Sequence, residues 1–482
     1  MSAVLELLQG LRLNPLPPPL PRPGGPGRVG GPTDPAEEAA TRFGGVAATA
    51  VHPFEVAAAI EAEGVTDRQV QRNYGRTDAF ELAEELYADT PRSYPEPEAT
   101  PSPWHSPLST SVLRGVLYAL PGLAFPLGAP MLSGPADRGG LPHGTFALAL
   151  SVLVNWAWNQ ALAHRTHSRL GRGQRRSAGL CLLRGACVGA GLGALGALLG
   201  ALVAGTDAGG VLLFCGGQAV YLGASCVLLV LGRESVLLKV LAPAALGGAG
   251  ALLGLFRPTT LTALLLLCTV LPAVAQAGRQ LSGLLRDTDD EFAVEPLPPV
   301  RASVPHGLFG MAMSLLTLGV ALRGGHIEVA PTVALTVSMG PAEWLLYGYR
   351  NRIHGALRAA HSARTFALLS VRSLALGLAS YLGLLAVLGG VLCLAPADAS
   401  FPGGTVGEQV GQQLPGLLAL GATIWIALLL QATGSAWAAA GICIPAAAAT
   451  VAGATEAVVG GVAAALLTVV ACWSLGRVTV HR

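Results

Sequence analysis

The sequence predicts an all-α membrane protein: a polytopic bundle of about twelve transmembrane helices in two similar halves, preceded by a small helical module. Of its 482 residues, 52% are hydrophobic and 12% are charged, and the mean hydropathy is +0.55. Apolar runs of about 20 residues, the length that crosses a bilayer, recur from Ser111 to the C-terminus. These runs are apolar all round, whereas the helices of a water-soluble protein keep one polar face. We therefore expect a protein of the cell membrane, surrounded by membrane lipids.

The chain before the first apolar run has two proline-rich segments. Residues 1–50 contain the stretch NPLPPPLPRPGGPGRVGGPTDP, and this density of proline and glycine predicts a disordered tail. Residues 93–110 are again rich in proline and predict a linker into the bilayer.

Residues 51–92, between these segments, predict three short helices. Pro53 can begin the first, Thr66 and Gln69 have the spacing of a capping box for the second, and Thr77 can cap the third. A module of about 40 residues seldom folds well alone. We expect it to pack on the membrane domain or to bind a cytoplasmic protein partner; an ordered segment without a binding role is the alternative.

The apolar runs divide into two groups of six. The first half covers residues 111–277, the connection covers 278–303, the second half covers 304–476, and a tail of 477–482 follows. The predicted spans are 111–132, 143–163, 178–204, 210–231, 236–256 and 259–277 in the first half, and 304–322, 328–348, 366–395, 411–430, 436–454 and 457–475 in the second.

Arginine placement predicts the orientation of these spans. The connections after even-numbered spans hold most of the arginines, whereas the opposite loops hold only Arg138, Arg257 and Arg323. By the positive-inside rule, the N-terminus, the C-terminus and the 278–303 connection are expected in the cytoplasm. Because one expected inner turn has no basic residue, the number of spans could differ by two.

Two stretches of the chain are similar to each other. WNQALAHRTHSRLGRGQRRSAGLCLLRG and WLLYGYRNRIHGALRAAHSARTFALLSVRS each contain a tryptophan, a basic histidine-containing connection and an arginine inside the next span. Arg184 lies eight residues past Arg176, and Arg372 lies eight past Arg364. This agreement predicts that the second six spans repeat the first six in the same orientation. Tryptophan and arginine at a membrane interface are a common pattern, so coincidence is the alternative.

The two span arginines predict a polar cavity. Eight helical residues place Arg184 and Arg372 about 12 Å past the last connection arginine, where a charge is costly unless it is paired or faces water. Both are expected to point inward, with Glu343 a candidate coupling site or the gate partner of Arg372. Arg184 has no acidic counterpart, so an anion with phosphate groups is the expected ligand. Arg114, near the start of the first span, is expected to snorkel to the interface.

Other polar residues of the spans are candidates for the same cavity: Asn155, Asn159, Gln218 and Tyr221. The cysteines and histidines form no metal-ligand pattern, and we expect neither a metal nor a cofactor. The formal net charge of +2 gives no reason to expect a nucleic-acid partner.

Two parallel six-span halves, cytoplasmic termini and a cationic central cavity resemble the multidrug, oligosaccharidyl-lipid and polysaccharide exporter superfamily, specifically its flippases of lipid-linked sugars. The resemblance covers residues 111–480 and rests on architecture. It implies a transporter that moves an anionic, lipid-linked saccharide or polysaccharide precursor by alternating access, with Arg184 and Arg372 holding the phosphates of the substrate. The N-terminal module departs from the pattern of that superfamily.

Three alternatives remain open at the level of sequence. The segment LGRGQRR after the second span is similar to the loop motif of the major facilitator superfamily, although its aspartate is missing and the loop is longer. A membrane scaffold that recruits partners through residues 51–92 is the second alternative. An enzyme is the third, with the acidic run DTDDE at 287–291 as its candidate metal site, but acidic side chains elsewhere are scattered singly. We expect a transporter and not an enzyme.

Overall fold

The computed structural model describes residues 35–93, 108–138, 140–206, 208–255, 260–286, 299–323, 329–394 and 406–481. Within these ranges the regular structure is entirely helical, which confirms the predicted all-α class. The chain forms two compact units, of which one lies within residues 13–101 and the other holds the apolar helices that follow. The DTDDE run lies outside the described residues.

The N-terminal unit contains four helices where the sequence predicts three. They are α1 (Pro35–Thr49), α2 (Pro53–Ala62), α3 (Asp67–Tyr74) and α4 (Ala79–Asp89). Helix α1 falls in the segment predicted as a disordered tail, and that part of the prediction is wrong. Ala39, Phe43 and Ala47 recur every four residues and are buried with Ile60 and Leu86. Alanine contributes little to an apolar signal, which is why the stripe of α1 is inconspicuous in the sequence.

Local hydrogen bonds define the ends of these helices. The backbone N–H of Thr66 donates to Oε1 of Gln69 at 2.8 Å, and the predicted capping box of α3 is confirmed. Asp78, and not Thr77, caps α4 by accepting hydrogen bonds from the backbone N–H groups of Phe80 and Glu81. Thr77 donates its hydroxyl to the Glu81 carboxylate instead.

The second unit begins with α5 (Leu108–Ala119), which continues through a 3₁₀ turn (Leu120–Ala124) into the short α6 (Phe125–Gly128). The first helix set is α5 and α6 with α7 (Thr145–Leu170), α8 (Arg175–Ala204), α9 (Ala208–Val230), α10 (Glu234–Leu252) and α11 (Thr260–Leu285). The second helix set is α12 (Val304–Arg323), α13 (Val329–Ala359), α14 (Ala363–Leu394), α15 (Val406–Ala432), α16 (Ala436–Val451) and α17 (Glu456–Leu475).

Each of the twelve predicted spans falls on helices of these two sets. Among the described residues, nine segments are long and apolar enough to cross a membrane. They are Ser111–Gly128 and all or most of α7, α8, α9, α10, α11, α14, α15 and α17. Helices α7, α11 and α13 continue past the predicted spans, to Leu170, Leu285 and Ala359. Basic residues at the C-terminal ends of α7 and α13 favour this extension through the helix dipole.

Packing within each helix set follows a definite order. In the first set, α7 packs on α8, α8 on α9, α9 on α11, α10 on α11, and the turn between α5 and α6 packs on α10. In the second set, α13 packs on α14, α14 on α15, α15 on α17, α16 on α17, and α12 packs on α16.

The two helix sets meet at two crossings, α5 with α13 and α7 with α12. At the first crossing, a Cβ atom on Gly340 would overlap the carbonyl oxygen of Ser111 and would lie 2.6 Å from the nitrogen of Gly115. At the second, a Cβ atom on Gly310 would lie 3.0 Å from the carbonyl oxygen of Trp156. Glycine therefore lets the helix backbones approach closely where the sets touch.

Candidate substrate cavity

A cavity of about 1170 Å³ lies between the two helix sets. Helices α5, α7 and α9 line it from the first set, and α12, α13 and α15 line it from the second. Most of its lining is apolar and aromatic, with Tyr118 and Trp156 on one side and Phe309 and Met339 on the other. A volume and a lining of this kind are typical of sites for organic ligands.

A buried ion network joins the helix sets beside this cavity. The guanidinium of Arg114 on α5 donates from Nε to Oε1 of Glu234 at 2.8 Å and from Nη1 to Oε1 of Glu343 at 2.7 Å. Arg114 is only 3% exposed, and Glu343 lines the cavity. The expectations that Arg114 snorkels and that Glu343 pairs with Arg372 are therefore wrong. Helix α5 crosses α13 at Gly340, less than one turn from Glu343, and this crossing brings the two charges together.

The two arginines that the sequence places in a cavity lie elsewhere. The side chains of Arg184 on α8 and Arg372 on α14 are exposed on the surface of the helix bundle and do not line the cavity. Helix α8 instead turns Leu182, Gly185 and Gly189 toward its neighbours, where Gly189 meets the indole of Trp158. Close packing of the glycine face decides the rotation of α8, so the arginine is left on the outside.

The remaining predicted cavity residues divide into two pairs. Asn159 and Tyr221 line the cavity. Asn155 is fully buried against Gly193 and donates from Nδ2 to the carbonyl oxygen of Ser151 at 3.0 Å, and Gln218 is half-buried; neither lines the cavity. Asn155 and Gln218 lie outside the cavity for the same reason as the arginines, because packing against neighbouring helices sets the rotation of each helix.

Histidines contribute to the cavity in a way that the sequence does not predict. The rings of His164 on α7 and His306 on α12 stack at a centroid distance of 3.8 Å, and Nδ1 of His164 lies 3.1 Å from Oγ of Ser303. His167 lies one turn further along α7 and is 3% exposed. The sequence predicts a connection here, but α7 continues to Leu170, and its extra turns bury these side chains.

Polar atoms in the cavity wall have unused hydrogen-bonding capacity. Both ring nitrogens of His167, Oδ1 of Asn159 and Nε2 of Gln431 are buried without a partner among the described residues. All three side chains line the cavity. Buried polar groups in native proteins are nearly always paired, so these atoms in the cavity wall are candidate contacts for water or for a ligand.

The positive side chains of the cavity are Arg172 and Arg350. Arg172, just past the end of α7, donates to the carbonyl oxygen of Ser168 at 2.8 Å. Arg350 on α13 donates to the carbonyl oxygen of Ala432 at the end of α15. Arg172 thus lies beside the end of α7 and Arg350 beside the end of α15, so the positive charge of the cavity is at this end and its interior is apolar.

Among the described residues, no three side chains of histidine, cysteine, aspartate or glutamate are arranged to hold a metal ion. No protein-family model, curated protein or solved structure matches this chain.

Proposed function

We propose that this chain is a multi-pass membrane transporter of the flippase type, which moves an anionic, lipid-linked saccharide or polysaccharide precursor. The observation that carries the proposal is the cavity between the two helix sets, because an apolar interior with positive charge at one end fits an amphiphile with an anionic head. Arg172 and Arg350 take the phosphate-binding role that the sequence assigns to Arg184 and Arg372.

The order of helix packing supports two repeated six-helix halves and twelve spans. Each principal contact in the first helix set has a counterpart six spans later: α7 with α8 matches α13 with α14, and α9 with α11 matches α15 with α17. The two crossings between the helix sets also correspond to each other. Helix α5 contacts α13, and their counterparts in the other set, α12 and α7, contact each other as well. A parallel repeat of this kind is typical of transporters that rock two halves about a central site.

These features support the resemblance to the exporter superfamily named above and a place in the cell membrane. The ends of α7, α9, α11 and α13 then face the cytoplasm with both termini, because most of the arginines lie in or beside the connections that follow them; the turn after α15, on the same side, has none. In this orientation the positive end of the cavity is the cytoplasmic end.

Arg114 and Glu343 serve in this proposal as the gate between the halves. Glu343 belongs to the second half, whereas Arg114 and Glu234 belong to the first. A proton on Glu343 would free it from Arg114, which keeps Glu234 as its partner. No unpaired charge is then left in the bilayer, and the halves can separate at low cost.

A flipping assay tests the proposal. The purified chain is reconstituted in liposomes that contain a fluorescent polyprenyl-diphosphate sugar, and dithionite quenching measures transfer between leaflets. We expect transfer well above that of protein-free liposomes, a loss of about tenfold in Arg350→Ala, and a rate close to wild type in Arg184→Ala. Transfer equal to protein-free liposomes, or equal losses in both variants, would overturn the proposal.

A second role, recruitment of a cytoplasmic protein, is favoured by one feature of the N-terminal unit. The rings of Phe54 and Phe80 meet edge to face at 5.9 Å, and their side chains are 61% and 48% exposed. Exposed aromatic pairs are typical of protein-binding surfaces. Loss of a partner in pull-downs with Phe54→Ser, at unchanged flipping, would support recruitment as a separate role.

A further inference from the structure

The cavity wall contains three side chains whose unpaired atoms include both hydrogen-bond donors and hydrogen-bond acceptors. Oδ1 of Asn159 can only accept a hydrogen bond, and Nε2 of Gln431 can only donate one. The two nitrogens of a neutral His167 ring offer one donor and one acceptor. Leaving such atoms buried and unpaired is costly, so a ligand that satisfies them gains affinity.

This combination of donors and acceptors favours a sugar over a phosphate as the bound group of an amphiphile. Ionised phosphate oxygens only accept hydrogen bonds, so a phosphate would leave Asn159 Oδ1 unpaired. A sugar hydroxyl both donates and accepts, and can satisfy all three side chains. We propose that Asn159, His167 and Gln431 form a subsite for the uncharged sugar rings of the substrate, beside the arginines that bind its phosphates; this inference rests on the proposed flippase function.

Spacing favours a saccharide of more than one ring. Asn159 and His167 lie eight residues apart on α7, which places them about 12 Å apart along the helix. One hydroxyl cannot reach both, whereas an oligosaccharide can. Gln431 approaches from α15 of the second helix set, so the bound head contacts both halves. Trp156 and Trp437 line the same cavity with 37% and 61% of their surfaces exposed, and they offer aromatic faces to the rings.

Native mass spectrometry with matched amphiphiles tests the subsite. The full chain in a polyoxyethylene detergent is mixed with equal concentrations of dodecyl maltoside and dodecyl phosphate, which share a tail and differ in the head. We expect Asn159→Leu and Gln431→Met each to weaken maltoside binding about tenfold, the equivalent of a lost hydrogen bond to a buried group, and to change phosphate binding less than twofold. Gln276→Met, a glutamine outside the cavity wall, should bind both amphiphiles as wild type does.

The outcomes separate the subsite from the function on which it rests. Equal losses of both amphiphiles in Asn159→Leu and Gln431→Met, or unchanged maltoside binding, would overturn the sugar subsite while leaving an amphiphile cavity in place. Absence of binding by both amphiphiles in the wild-type chain would contradict the proposed function itself. His167→Gln, which keeps one donor and one acceptor, should retain most maltoside binding, and its loss in parallel with the other variants would count against hydrogen-bond recognition.

Discussion

Arg114 is a buried charge of the second unit, and it pairs with two carboxylates. Its two hydrogen bonds, of 2.8 Å to Glu234 and 2.7 Å to Glu343, run to different helices. An ion network at 3% exposure contributes little net stability, since desolvation offsets most of the attraction. Removal of one member is costly, because the remaining charges are then buried without a partner.

Replacement of this arginine therefore has a predictable effect on stability. We expect Arg114→Ala to lower the free energy of unfolding by about 3–5 kcal/mol, the usual result of breaking a buried ion pair. Arg184→Ala and Arg372→Ala, whose side chains are exposed, should change it by less than about 0.5 kcal/mol. Thermal unfolding of the three variants in detergent gives the comparison. A similar loss of stability in all three variants would indicate that Arg184 and Arg372 are buried, as the sequence predicts.

At the scale of elements, the crossing of α5 and α13 depends on the absence of side chains. Gly340 lies where a Cβ atom would meet the backbone of Ser111 and Gly115, and backbone atoms cannot move aside as a flexible side chain can. The same helix carries Gly355, around which nothing lies within 4 Å of a Cβ atom. One helix thus contains both a constrained glycine and a free one.

These two glycines give a matched pair of variants. Gly340→Ala should destabilise the protein by about 1–3 kcal/mol, the usual cost of overpacking. If the protein is the proposed flippase, the variant should also reduce flipping, because the helix sets are forced apart. Gly355→Ala should be neutral or stabilising by up to about 1 kcal/mol, since alanine favours the helix. Thermal unfolding measures the change in stability, and the flipping assay measures the change in rate. Equal values for Gly340→Ala and Gly355→Ala would contradict the close crossing of α5 and α13.

The N-terminal unit is an element with its own hydrophobic core and its own pH dependence. Hydrogen bonds from Arg76 hold the pKa of Glu85 below its ordinary value of 4.5, and hydrogen bonds from Thr77 do the same for Glu81. A carboxyl group whose pKa is lowered by folding stabilises the fold above about pH 4.5, and this stability is lost as pH falls through the lowered pKa.

A fragment of residues 35–93 should be folded at neutral pH, with a cooperative thermal unfolding transition, and its stability should fall below pH 4.5. Glu85→Gln should remove part of this acid sensitivity, at a cost near pH 7 of less than about 1 kcal/mol because the pair is one-third exposed. Glu38→Gln, at an exposed position of α1, is the control. Circular dichroism melts between pH 3 and pH 7 supply the measurement; identical pH profiles for all forms would show that the Arg76 contact has no such effect.

On the scale of the whole molecule, the ion network joins the two helix sets at one titratable group. Glu343 faces Arg114 and Tyr118 from α5, Glu234 from α10, and Tyr347 one turn along its own helix. A proton on its carboxylate breaks the link across the cavity wall. In the proposed transporter, movement of the two helix sets and proton binding are therefore expected to be coupled.

Two glutamine variants distinguish this coupling from a static role. Glu343→Gln should make the flipping rate nearly independent of pH, because the link is permanently broken. Glu234→Gln should keep a pH dependence, because the link between Arg114 and Glu343 across the helix sets remains. Flipping rates between pH 5 and 8 test both. A wild-type pH profile in Glu343→Gln would remove this residue from the coupling.

An apolar helix bundle, the position of each apolar helix and the arginine-rich segments between them could be predicted from the sequence alone. Hydropathy, capping residues and arginine bias are properties of short segments, so they can be read without a fold. The capping box at Thr66 and the twelve apolar intervals, each of which falls on helix, are of this kind.

The inward-facing side of each apolar helix could not be predicted, because it depends on packing between helices. A helix that is apolar all round has no polar stripe to fix its rotation, so the fit of glycines to neighbouring side chains fixes it instead. For this reason Arg184 and Arg372 lie outside and Arg114 takes Glu343 as its partner. His167 became a cavity residue because α7 continues beyond the apolar run, and helix extension depends on neighbours that hydropathy does not describe.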